Sequence, residues 1–181
     1  MPNRLPQGMI HVYTGDGKGK TSAALGLTWR AVGAGLRVAF FQFLKGGMTT
    51  SELNVLARFG PAVWLKRFAP AVTPFSLGQG PPNDEDRRNV AVAWSTARAA
   101  ILSGRWDVVV LDEINNVLRA GLLDVKDVLA TLRARPSHVE VVCTGRGAPA
   151  ELIDAADLVT DMRMVKHPYN DGLEAREGIE F

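Results

Sequence analysis

The residues Thr14-Gly15-Asp16-Gly17-Lys18-Gly19-Lys20-Thr21 carry the strongest chemical signal in this chain. Their spacing is that of a Walker A phosphate loop, with Thr14 where the first glycine usually stands. To grip a phosphate, successive backbone N–H groups must converge on one point. Side chains must then stay clear, and some residues must take positive φ. Gly15, Gly17 and Gly19 supply that freedom. Lys20 brings a point charge to the phosphates, and the Thr21 hydroxyl can hold magnesium. Lys18 either touches phosphate as well or stays solvated.

A second signal is Val108-Val109-Val110-Leu111-Asp112-Glu113, four apolar residues followed by two acids. This is the form of a Walker B element, whose carboxylate reaches the magnesium or a water bound to it. The sequence leaves open which acid lies nearer the metal. These residues by themselves describe an ATP-dependent enzyme that hydrolyses or transfers the γ-phosphoryl group. A RecA-like ATPase, a small-molecule kinase and a non-catalytic nucleotide-binding protein all remain compatible with them. A kinase lid would be rich in arginine, and the central segment 69–83 contains none.

The surrounding pattern suits both motifs. Short apolar runs alternate with longer helical patterns, which predicts an α/β fold: a mostly parallel sheet flanked by helices, of the P-loop NTPase (RecA-like) type. Strands are expected at Met9–Tyr13, Arg37–Phe43, Val63–Phe68, Val108–Leu111, Glu140–Thr144 and Leu158–Met164. Helices are expected at Thr21–Val32, Ser51–Arg58, Ile114–Arg119, Val125–Ala134 and Ala148–Ala156, with another from Asn83 to about Ser103. Asn83-Asp84-Glu85-Asp86 reads as a helix start, with carboxylates facing the positive end of the dipole. Segment 69–83, with four prolines and two glycines, reads as a long loop over a site. One domain over 1–181 is expected, with a short tail at 1–8 and an irregular tail at 165–181.

Composition narrows the class. The chain has 181 residues, 46% hydrophobic and 22% charged, and a net charge of +2. That balance is globular and gives no reason to expect nucleic acid or an anionic membrane as partner. The start of the sequence lacks the apolar core of a secretory signal, and no uncharged apolar stretch approaches the ~20 residues that span a bilayer. The single cysteine, Cys143, reads as a small buried hydrophobe and excludes an internal disulfide, so a reducing cytoplasm is the expected location. His11 and His138 read as structural. His167 has no assigned role.

Several blocks, in order, resemble the ATP:corrinoid adenosyltransferases, which act on cob(I)alamin or cob(I)yrinic acid diamide. They are Thr14 through Ala24, Arg30-Ala31-Val32-Gly33, Gln42-Phe43-Leu44-Lys45-Gly46, and Val110-Leu111-Asp112-Glu113. Further on stand Arg135-Pro136, Thr144-Gly145-Arg146-Gly147, Val165-Lys166-His167-Pro168 and the ending Gly172, Ala175, Gly178-Ile179-Glu180. The likeness runs from about Gly8 onward. It implies displacement at carbon, in which a Co(I) corrinoid attacks the 5′ carbon of ATP, triphosphate leaves and a cobalt–carbon bond forms. The likeness also implies a nucleotide that lies reversed in the loop, exposing that carbon.

The resemblance also implies roles. Thr14 to Ser22 and Arg146 would bind ATP, with Asp16, in a slot often held by Asn, near the ribose or adenine end. Lys20 would stabilise the leaving triphosphate, and Thr21 and Glu113 would order Mg2+ with Asp112 as their partner. Phe75 would crowd the lower face of cobalt, with Leu77 standing where many members have tryptophan. A reduced flavoprotein electron donor and a homodimer are implied too. Some relatives cover the site with a helical N-terminal extension. With about eight residues before the first strand here, closure by a partner subunit or looser closure is expected.

Overall fold

The computed structural model describes residues 4–45, 50–68, 78 and 80–179. It contains a six-stranded, wholly parallel sheet in the order β3-β2-β4-β5-β1-β6. The strands are β1 (Ile10–Thr14), β2 (Val38–Gln42), β3 (Val63–Arg67), β4 (Val108–Asp112), β5 (Glu140–Thr144) and β6 (Leu158–Asp161). The helices are α1 (Lys20–Gly33), α2 (Glu52–Leu56), α3 (Asp84–Ser103), α4 (Ile114–Arg119), α5 (Val125–Arg133) and α6 (Ala150–Ala155). Among the described residues, no helix is long and apolar enough to cross a membrane.

The central strands are apolar throughout because helices cover both of their faces. Alternate residues divide between two cores. Ala39, Phe41, Val109, Leu111, Val141 and Cys143 face the side of α3, α4 and α5. Val38, Phe40, Val108, Val110 and Val142 face α1. Phe40 and Phe41 are fully buried on opposite sides, and burial of each contributes about 1.5–3 kcal/mol. The edge strand β6 is exposed along its whole length.

Strand order sets the site. β5 lies between β1, which carries the phosphate loop, and β4, which carries the acids. One inserted strand between the two is the RecA-like arrangement of P-loop proteins. All strands run parallel, so the loop after β1, the acid at the end of β4 and the turn after β5 share one edge of the sheet.

Element boundaries depart from the sequence expectation at a few points, each with a local cause. The helix expected over Ser51–Arg58 is shorter. After Leu56 the chain tightens into a 3-10 turn, Ala57–Ala62, which Gly60 (φ 55°) and Pro61 interrupt. Helix α6 starts at Ala150 because Pro149 disfavours helical geometry at Ala148. The last strand stops at Asp161 because its partner β1 gives way to the phosphate loop after Thr14: Met162 N still donates to the Thr14 carbonyl at 2.9 Å, while the Met162 carbonyl accepts from Gly17 N at 2.6 Å. The tail 165–179 includes a 3-10 turn, Pro168–Asp171. Most of segment 69–83 lies outside the described residues.

The start of α3 is as expected. The Asn83 side chain accepts from Glu85 N at 2.8 Å and Asp86 N at 2.9 Å, and Asp86 Oδ2 accepts from Asn83 N at 2.9 Å. This reciprocal cap anchors the 20-residue helix that covers one sheet face. Asn83→Ala removes the acceptor for two N–H groups and should cost about 1 kcal/mol. The measurement is a lower urea midpoint at unchanged m-value; an unchanged midpoint would show that the cap contributes nothing.

Candidate functional site

At the end of β1 the chain leaves the sheet and wraps Gly15 to Gly19 around the start of α1. Gly15 (φ 90°) passes so close to β6 that a Cβ there would stand 2.1 Å from Asp161 Oδ1. Gly19 (φ 119°) occupies the N-cap position of α1, and no side chain caps the helix. The first helical N–H groups therefore open toward the cavity, where an anion is favoured by both the donors and the dipole. Lys20 folds back over the loop, its Nζ donating to the Gly15 and Gly17 carbonyls, each at 2.6 Å. Burial and then the charge of Arg146 push the Lys20 pKa down, with Glu113, Asp16 and Asp161 partly offsetting them. Thr14 ties the loop to the turn after β5, its Oγ1 accepting from Ala148 N at 3.2 Å.

Asp112 is the hub of the acidic end. Its carboxylate is fully buried. Oδ1 accepts from Thr21 Oγ1 at 2.9 Å and from Thr144 Oγ1 at 2.6 Å. Oδ2 accepts from Lys45 Nζ at 2.9 Å and from Gln42 Nε2 at 3.4 Å. Lys45 Nζ also donates to Thr21 Oγ1 at 3.0 Å. Burial works against the Lys45 ammonium, but the charge and hydrogen bond of Asp112, with Glu113 and Glu52 behind, outweigh it and raise the Lys45 pKa.

Glu113 is the one non-glycine residue with positive φ (70°) among the described residues. A left-handed residue costs on the order of 1–3 kcal/mol and persists where the surroundings fix it. Here Thr144 Oγ1 accepts from Glu113 N at 3.0 Å while donating to Asp112. Asn116 Nδ2 donates to Glu113 Oε2. The turn brings Glu113 to the cavity wall. Burial, and next the Asp112 charge, raise the Glu113 pKa above the ordinary value near 4.5.

These groups line a cavity of about 590 Å³. Of the residues expected from sequence, Gly17, Lys18, Gly19, Lys20, Thr21, Ser22, Glu113 and Arg146 line it. Thr14, Gly15, Asp16 and Asp112 do not. Thr14 and Asp112 act from behind the wall through the contacts above, and Asp16 is exposed, its charge still felt by Lys20. Lys18 donates to the Ile179 carbonyl at 2.8 Å, so the tail joins the loop, and His167 also lines the cavity. Phe75 and Leu77 lie outside the described residues.

Sequence reading missed Gln42, Lys45, Glu52, Asn116 and Thr144 as site residues. Gln42 had a signal, a polar residue closing an apolar strand. Thr144 closes β5 in the same manner. Lys45 stands in the family-like block Gln42–Gly46, to which no chemical role is attached by sequence, and Glu52 enters from a segment with no motif of its own. Cys143 is fully buried and its thiol is pushed up to about 12 by burial, so it packs as a small apolar side chain. His11 pairs with Glu140 at 2.7 Å and His138 contacts the Gly104 carbonyl at 3.1 Å, both away from the cavity.

Thr21 Oγ1 and the Asp112 and Glu113 carboxylates are hard oxygen donors, and the Lys45 ammonium already rests on the first two. The spot therefore attracts positive charge. Among the described residues no group of three or more His, Cys, Asp or Glu is arranged to hold a metal ion by itself. A cation here would take its remaining ligands from water and phosphate, which is the habit of magnesium.

Comparison with known proteins agrees with this geometry. The family model described as "ATP:corrinoid adenosyltransferase BtuR/CobO/CobP" matches residues 6–181. A corrinoid adenosyltransferase of Pseudomonas aeruginosa is 37% identical, covering 98% of this chain and 86% of its own. One from Sinorhizobium is 39% identical over 97% of this chain and 81% of its own, and one from Salmonella typhimurium is 35% identical over 97% and 86%. Among solved structures, the flagellar accessory protein FlaH of Methanocaldococcus jannaschii superposes with a TM-score of 0.55 at 14% identity, covering 87% of this chain and 72% of that one, a likeness of fold alone. With its phosphate loop, buried acid and near-complete match, the chain belongs to the ATP:corrinoid adenosyltransferase family.

Proposed function

We propose that this chain transfers the 5′-deoxyadenosyl group of ATP to the Co(I) centre of a reduced corrinoid and releases inorganic triphosphate, in cobalamin biosynthesis or salvage. The observation that carries the reading is a single cavity in which a helix N-terminus, Lys20 and Arg146 meet the Thr21–Asp112 pair, in a chain of this family. The cobalt electron pair forms the Co–C5′ bond, the C5′–O5′ bond breaks, and its electrons leave on triphosphate. No proton has to be abstracted, so no general base is needed.

The protein's work is then electrostatic. Negative charge grows on the leaving oxygen, and donors fixed in advance stabilise it without reorganising. The loop amides and the first turn of α1 hold the polyphosphate. Lys20 exchanges the Gly15 and Gly17 carbonyls for phosphate oxygens, and Arg146 approaches from the turn after β5. Thr21 and Glu113 would hold Mg2+, with Asp112 orienting the Thr21 hydroxyl. Bound there, the ion supplies charge neutralisation to the leaving group. Phe75 and Leu77 are proposed against the lower face of the corrinoid. A reduced flavoprotein as electron donor, a homodimeric state and a cytoplasmic location complete the proposal; family membership supports the first two and a lone buried cysteine the third.

The decisive assay incubates the chain with MgATP and a corrinoid held at Co(I). Triphosphate and a light-sensitive alkylcobalt spectrum are expected. ADP and phosphate formed without corrinoid would replace this reading with an ATPase. Lys20→Ala should lower kcat/KM by about 10²–10³-fold, the effect of losing one preorganised donor to the leaving group. A loss under threefold, with the fold intact by circular dichroism, would remove Lys20 from the machinery.

The raised Glu113 pKa gives a signed stability effect. Between the ordinary value near 4.5 and its raised value, the folded chain holds a proton that the unfolded chain has released. This carboxyl therefore stabilises the metal-free fold at low pH and loses that contribution as pH rises through the raised pKa. In EDTA, the urea midpoint of the wild type should fall relative to Glu113→Gln as pH climbs from 4.5. A gap constant with pH would contradict the burial argument.

A further inference from the structure

Lys45 stands where neither motif asks for a residue. Its Nζ lies 2.9 Å from Asp112 Oδ2 and 3.0 Å from Thr21 Oγ1. The Thr21 hydroxyl proton points to Asp112 Oδ1, so Lys45 occupies one of the two lone pairs through which Thr21 Oγ1 would bind a metal ion. The Lys45 side chain is 21% exposed and that of Asp112 is 0%, so water competes poorly for this pair. Glu52 and Glu113 add negative charge around it, and Gln42 bridges Glu52 to Asp112.

We infer that Lys45 is the resident counter-ion of the metal position: it neutralises the Thr21–Asp112 pair in the metal-free chain, and the divalent cation displaces it only when polyphosphate is present to receive the ammonium. The inference rests on the proposed magnesium site. Magnesium bonds oxygen at about 2.0–2.1 Å, so an ion on Thr21 Oγ1, which lies 3.0 Å from Nζ, would sit within about 5 Å of the ammonium, and two cations repel at that distance in a largely desolvated site. One of them has to move.

Lys45 has somewhere to go. It lines the same cavity as Lys20 and Arg146, so its flexible stem can carry the ammonium onto phosphate oxygens without leaving the site. Without polyphosphate the exchange would strand a buried cation, and bare metal should bind weakly. With polyphosphate, metal and Lys45 are both satisfied. Lys45 thereby couples metal binding to nucleotide binding, a positioning role that acts through Thr21 and Asp112.

The test uses Mn2+ as the probe and electron paramagnetic resonance to count free ion, with no corrinoid present. In the chain without nucleotide, Lys45→Met should bind Mn2+ at least tenfold more tightly than wild type. Lys45→Arg, which keeps the charge, should stay weak. With tripolyphosphate added, wild type should gain Mn2+ affinity and Lys45→Met should gain little more. The Lys45→Met melting temperature should fall in EDTA and recover with Mn2+, which a purely structural lysine would not produce. If folded Lys45→Met binds Mn2+ no better than wild type, while wild type still gains affinity with tripolyphosphate, Lys45 is no counter-ion and the inference fails alone. If wild type binds no Mn2+ even with tripolyphosphate, the metal site itself fails and the inference goes with it.

Discussion

One buried carboxylate organises this molecule's chemistry. Asp112 has no exposed surface, and an isolated charge in such a place would be prohibitively costly unless paired and hydrogen-bonded. Four side chains from four segments meet that demand: Thr21 from α1, Gln42 from β2, Lys45 beyond it and Thr144 from β5. Each has its own second contact at the site, so satisfying Asp112 also aims Thr21, fixes the backbone of Glu113 and draws a lysine to the cavity. The sheet order makes this possible, because the ends of β2, β4 and β5 are neighbours and α1 crosses over them.

The strain at Glu113 follows from the same hub. Thr144 uses one hydroxyl twice, as donor to Asp112 and as acceptor for Glu113 N–H. That double use holds Glu113 in a left-handed turn and brings it to the cavity wall while Asp112 stays behind it. Two adjacent acids thus acquire different environments, one saturated with donors and one facing the ligand space. The burial that raises the Glu113 pKa follows from this backbone geometry and could not be guessed from the order of the two acids.

Much of this was readable before any coordinates. The phosphate loop, the acidic strand end and the six strands came through because each obeys a local rule: glycine spacing, unbroken apolar runs, and a cap at Asn83 with its own chemical signature. The family resemblance rested on blocks that the comparisons then matched over nearly the whole chain. What escaped was set by long-range contacts. Lys45 and Glu52 belong to the site only because β2 lies beside β4, and Thr144 only because β5 lies between β4 and β1. The early end of β6 was hidden too, since it is set by β1 turning into the phosphate loop, whose Gly17 N bonds the Met162 carbonyl. No period in the local sequence records a partner so far away.

That last contact ties nucleotide binding to the completeness of the fold. The loop at Gly15 and Gly17 is shaped against Asp161 and Met162, and β1 is pinned to the same region by the bond from Ile10 N to Asp157, residues 147 positions apart. Pairings this remote in sequence close late, because the chain must first give up the entropy of a long loop. A partly folded chain can own every residue of the phosphate motif and still lack the surface that presses it into shape. The edge strand is thus a keystone of the phosphate site: without Asp161 and Met162 in place, the loop at Gly15 and Gly17 has no wall to be shaped against.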